Sequence, residues 1–137
     1  MQKIIEIELP FWQDPQFYVI TQHQRDDAYI YCRIWDSPAN PINDKMGKFH
    51  FRQVLACNIE RKKIKYQSDD EPRYRSAILE IINSEYLSNY CSNSKFCDIT
   101  GYRHFVVHSH DHHVVVLAKD YSVEIINHLE YFDDIDD

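Results

Sequence analysis

Glycine is scarce in this chain, two residues in 137, and Gly47 and Gly101 stand far apart. Loops that cradle phosphate need several close backbone approaches that only glycine permits, so G-x-G-x-x-G and P-loop chemistry are excluded. Basic excess is also missing, with 15 Lys+Arg against 22 Asp+Glu and a net charge of -7. Such a chain repels a phosphate backbone at long range, and nucleic acid is not an expected partner. The one basic stretch is local: residues 45–75 hold nine Lys/Arg against four Asp/Glu. Its tip, residues 61–65 with Arg61, Lys62, Lys63 and Lys65, reads as a solvated turn whose lysines blunt an exposed sheet edge.

Long apolar runs are lacking too. No stretch approaches the roughly 20 apolar residues of a spanning helix, and Met1-Gln2-Lys3-Ile4-Ile5-Glu6 is too short and too acidic an apolar run for a signal peptide. A cytoplasmic protein without a membrane partner is expected. The four cysteines, Cys32, Cys57, Cys91 and Cys97, show neither C-x-x-C spacing nor the density of a disulfide scaffold. Cys32 and Cys57 share parity with apolar neighbours and read as small buried hydrophobes.

What the chain has is aromatic and β-branched residues, with 14% Phe, Trp and Tyr and ten tyrosines. Ile5, Ile7 and Leu9 alternate with Glu6 and Glu8, the period of a half-buried strand. Residues 16–22 and 28–36 read as a hairpin. Its second strand puts Ile30, Cys32 and Ile34 on one face and Tyr29, Tyr31, Arg33 and Trp35 on the other, so Tyr29, Tyr31 and Trp35 form a candidate interaction surface. Residues 37–48, with Pro38 and Pro41, read as a loop. Residues 49–59 alternate again as a strand with the odd positions apolar. Ser68-Asp69-Asp70-Glu71-Pro72 is a helix-start signal, and Ala77, Ile78, Ile81 and Ile82 recur at helical spacing, which predicts a helix over 72–90 lying across a sheet. Residues 102–109 and 113–119 are the clearest strands, and Asp120 caps a predicted last helix.

Five of the eight histidines fall within ten residues: His104, His108, His110, His112 and His113. Imidazole is a metal ligand, a general base and a charge switch near neutrality, so this hairpin is the candidate site. With a two-residue turn at Asp111 and His112, His110 faces His113 and His108 faces Val115, and His104, His108, His110 and His113 share one face. Two or three of those nitrogens then converge on one divalent ion, zinc or manganese, with Asp111 orienting a ring or completing the shell. A three-residue turn removes His113 from the set. The same pattern also describes polar rings on the solvated side of an amphipathic hairpin. Two metalloenzyme patterns fail here: H-x-H-x-D-H needs Asp two residues after the second His, and the His-hydrophobic-His pair of single-strand endonucleases needs an apolar residue where Ser109 or Asp111 stands.

These observations predict one α+β domain over 1–132, a mostly antiparallel sheet of about seven strands with a long covering helix and a short C-terminal helix, followed by an acidic disordered tail at 133–137. Aromatic second faces exceed what one helix covers, so a homodimer or a protein partner is expected. The chain has no established catalytic motif, which makes a small interaction or regulatory module the leading expectation. A divalent-metal hydrolase or nuclease at the histidine hairpin is the alternative, and a pH-responsive switch the third.

Overall fold

The computed structural model describes residues 2–13, 20–37, 40–61, 78–90, 98–108 and 112–127. Along the chain these form β1 (Lys3–Glu6), β2 (Trp12–Gln13), β3 (Ile20–Gln24), β4 (Asp27–Ser37), β5 (Asn40–Arg61), β6 (Ile78–Ile82), α1 (Glu85–Tyr90), β7 (Arg103–His108) and β8 (His112–Asn127). The strands build one sheet in the order β1-β6-β7-β8-β5-β4-β2, with β3 also on β4. Every pairing is antiparallel.

The expected α+β layering is overturned. Among the described residues the helical part is α1 alone, six residues long, and no long helix covers the sheet. Residues 72–77 of the predicted helix lie outside the described residues, and 78–82 form β6, held between β1 and β7. Ile78, Leu79 and Ile81 are buried, so both faces of β6 are covered. A strand buried on both faces reads as a continuous apolar run, and over five residues such a run matches helical spacing equally well. The predicted C-terminal helix is likewise strand as far as Asn127: β8 runs on from Asp120, paired residue by residue with β5 from Arg52 to Lys45. Long-range pairing overrides the local cap signal there. Residues 128–132 and the tail at 133–137 lie outside the described residues.

The predicted loop at 37–48 is strand from Asn40 onward. Pro41 is accommodated opposite Trp35, where the β4–β5 register is irregular between Trp35 and Ser37, as expected for a residue that cannot donate to the ladder. The first hairpin turns at Arg25, φ 52°, with Gln24 opposite Asp27.

The β5–β8 ribbon is the frame of the molecule. At Gln53 the backbone takes φ 52°, and Val54 N–H then reaches the Asp26 carbonyl at 2.7 Å. Before this point β5 pairs with β4 as well as β8, and beyond it, among the described residues, with β8 alone. One half-sheet thus comprises β1, β6, β7 and the start of β8 against the end of β5. The other comprises β2, β3, β4 and the start of β5 against the end of β8. Residues 7–11 join β1 at one end of the sheet order to β2 at the other. In a flat sheet six strand spacings come to roughly 29 Å, whereas six Cα steps reach at most about 21 Å. The two halves must therefore fold over each other. Between them lies the main core, with Ile30, Ile34, Phe49 and Phe51 from one half and Ile78, Phe105, Val107 and Val116 from the other. Residues 7–11, a strap between the two halves, contribute Ile7, Leu9 and Phe11 to it.

Candidate functional site

The histidine hairpin is joined by a longer connection than expected. His108 is opposite His113, Val106 opposite Val115 and His104 opposite Leu117, so four residues, 109–112, separate the paired ends. Direct partners share a face in an antiparallel ladder, so His104, His108 and His113 stand on one side of the hairpin while Phe105, Val107, Val114 and Val116 enter the core. His110 and Asp111 lie outside the described residues.

Sharing a face does not bring the rings together. His104 is four residues from His108 on β7, about 13 Å along a strand, and two separate arrangements result. At the hairpin end His113, fully buried, sends Nε2 to Glu60 Oε2 at 3.2 Å, and the His108 ring lies edge-on to it at 6.1 Å. Glu60 is the β5 residue opposite His113, a partner invisible in local sequence. Further along, His104, 1% exposed, places Nδ1 2.6 Å from Ser84 Oγ. That oxygen caps α1 by accepting Leu87 N–H at 3.0 Å. Tyr86 of α1 lies 5.1 Å from the His104 ring and accepts the Asn58 amide at 3.2 Å. The expected convergence of His104 with His108 and His113 is corrected accordingly: among the described residues, which leave out His110 and Asp111, no group of three or more His, Cys, Asp and Glu is placed to hold a metal ion. The physical reason is spacing along β7, with His104 drawn into helix capping.

The candidate tyrosine surface lies on the outer face of the second half-sheet. Tyr31 is 1% exposed and clusters with Met46 and Ile126. Tyr29 and Trp35 are half-buried. Tyr29 stacks on His50 at 4.5 Å, and Lys48 Nζ lies 5.1 Å and 5.8 Å from the Tyr29 and Tyr31 rings. Asp27, His50 and Ser122 come together on this face, the residue types of a nucleophilic triad. Arg52 prevents that use. Its Nη1 lies 3.4 Å from His50 Nδ1 and donates to Ser122 Oγ at 3.0 Å. A guanidinium only donates and a carboxylate only accepts, so the proton of His50 sits on Nε2, directed at Asp27 Oδ1 3.1 Å away. The imidazole lone pair faces the guanidinium, not the serine.

A cleft of about 310 Å³ opens where β6, α1 and β7 meet, lined by Glu80, Ser84, Leu87, Tyr102, Arg103 and His104 among others. Its charges satisfy each other: Arg103 forks onto both Glu80 oxygens at 2.7 Å and 2.8 Å. That fork holds the guanidinium pKa above its ordinary value. The Cys57 thiol is pushed up to about 11 by burial, which makes it a poor nucleophile at neutral pH.

The remaining feature is the pair of open ribbon edges. On the β7 side, β8 is paired only from His113 to Ala118, so residues 120–126 are paired on the β5 side alone among the described strands. Beyond Val54, β5 has no described partner opposite β8. Each edge carries an exposed isoleucine, Ile125 at 43% and Ile59 at 64%. No protein-family model, curated protein or solved structure matches the chain. Among the described residues, no helix is long and apolar enough to cross a membrane.

Proposed function

We propose that this protein is a small interaction or regulatory module that receives a partner polypeptide by strand addition at the free edge of β8. The observation that carries the reading is the stretch Asp120–Ile126, hydrogen-bonded on one side only among the described strands and bearing the exposed Ile125. A row of free N–H and C=O groups is a template for another strand. Natural edges are blunted by proline, bulges or inward charge, and this one has no proline and keeps regular register with β5 from Asp120 to Asn127. The engaged states of His50, His104, His113 and Arg103 support a binding role over a catalytic one.

A photo-crosslinking residue placed at Ser122, on the edge, and at Gln24, in another exposed polar segment, tests this in the cells that make the protein. Adducts to polypeptide at position 122 that Ile125→Asp abolishes are the expected result. Equal labelling at both positions, or labelling indifferent to Ile125→Asp, removes the reading.

A further inference from the structure

We infer that the strand received at this edge is the same strand of a second copy, paired antiparallel about a two-fold axis through Val123. The inference rests on the strand-addition reading above and adds the identity and register of the partner.

The symmetry restricts the choices. A two-fold axis that pairs an edge strand with its own copy stands normal to the sheet and keeps like faces on the same side, so each residue meets one of its own parity and one residue meets itself. Overlap and charge then select among the centres: an axis at Tyr121 or Ile125 pairs only a short part of 120–126 with its copy, and charge decides among the rest. Centring on Glu124 sets two carboxylates directly opposite each other. Centring on Ser122 sets Asp120 opposite Glu124 twice over. Like charges directly opposite are destabilising in a ladder. Centring on Val123 avoids both: Tyr121 meets Ile125, Ser122 meets Glu124, and Asp120 meets Ile126.

The surroundings fit that register. Glu124 and Asp120 are already held on their own chain, by Lys48 at 3.9 Å and Arg52 at 2.9 Å, so the edge approaches its copy with its acidic groups partly compensated. Ser122, opposite Glu124, offers a hydroxyl that donates to a carboxylate. The Tyr121–Ile125 contact is an aromatic to β-branched pair, a favourable cross-strand combination, and the two-fold axis makes two of them. Tyr121 also packs on Phe51 and Phe105 at 6.2 Å and 5.1 Å. The cores of the two copies therefore become continuous across the edge, and Ile125 is covered.

Sedimentation velocity over about 1 to 500 µM, with hydrogen exchange on the same samples, tests the proposal. Pairing of one short strand is at the small end of specific interfaces, so a Kd on the order of micromolar is expected, with those amides of 120–126 that point away from β5 gaining protection as dimer forms. Ser122→Lys faces Glu124 in this register and tightens the dimer several-fold, whereas Ser122→Glu loosens it several-fold. Centring on Ser122 instead sets Lys against Lys and reverses the first sign. Ile125→Asp weakens association at least tenfold. Alternate amides of 120–126 point to β5 and are protected in any state, so the readout is the alternate set that points away from β5. A monomer in which that outward set exchanges slowly overturns both this inference and the strand-addition reading, because the edge is then filled within one chain. A monomer in which it exchanges freely overturns the second copy alone. A dimer indifferent to Ser122 and Ile125 places the contact elsewhere and also overturns the inference.

Discussion

Gly47 shows how tightly single positions are determined in the folded-over sheet. A methyl group built there meets Phe11 Cζ at 2.6 Å, Cys32 Sγ at 3.0 Å and Ile34 Cγ2 at 3.0 Å. The strap ring fills the space a side chain would occupy, and β5 can cross beneath it only without a Cβ. Gly47→Ala is therefore expected to destabilise the protein by about 1–3 kcal/mol, the usual cost of overpacking a core. Urea denaturation checks this, and Phe11→Leu in the same chain should recover part of the loss if the clash is the cause, since neighbours in contact are non-additive. Nothing in the local sequence marked Gly47, in a stretch that reads as a loop. At His50 the determinants are likewise remote: its proton placement follows only once Arg52 and Asp27 are seen on either side of it.

At the scale of elements, strands with alternating faces were legible and long-range pairing was not. Ile30, Cys32 and Ile34 sit in the core as their parity predicts, and His104, His108 and His113 share the face assigned to them. The helix over 72–90 failed because Ile78–Ile82 is apolar on both faces apart from Glu80, which Arg103 of β7 pairs, and such a run suits a central strand between β1 and β7. Within the histidine set, His104 stands apart from His108 and His113 because of spacing along β7 and the pull of Ser84, a partner outside the hairpin, while His110 and Asp111 lie outside the described residues. The strap at 7–11 is the least legible element of all. It reads as the end of a strand, yet it links the two ends of the sheet order. Phe11→Ala should accordingly cost about 3–5 kcal/mol, as for other buried Phe truncations. Hydrogen exchange in that variant should rise in β1 and β2 together, although five strands lie between them in the sheet. Loss confined to β2 would show that the strap does not couple the halves.

For the whole molecule, the net charge of -7 and the acidic residues of the β8 edge act in different pH ranges. Two acidic chains repel, so the self-association inferred above should strengthen as salt screens that repulsion and as pH falls from 7 toward the sequence pI near 5.5. Further acidification works the other way. The Arg52 hydrogen bond, helped by the Tyr121 backbone N–H, holds the Asp120 carboxyl below its ordinary value. A carboxyl depressed in the folded state stabilises it above the ordinary Asp range, and that contribution is lost as pH falls through the depressed value. Asp98, held low by its hydrogen bonds to Thr100, follows the same sign. Asp120→Asn should therefore have a lower urea midpoint than the parent at pH 7, and the difference should shrink as pH falls below the ordinary Asp range and the depressed carboxyl takes up its proton. Because Asp120 is exposed, the effect at pH 7 is small and screened by salt. A gap that persists undiminished in acid would mean that the Arg52–Asp120 pair contributes through shape and not through charge.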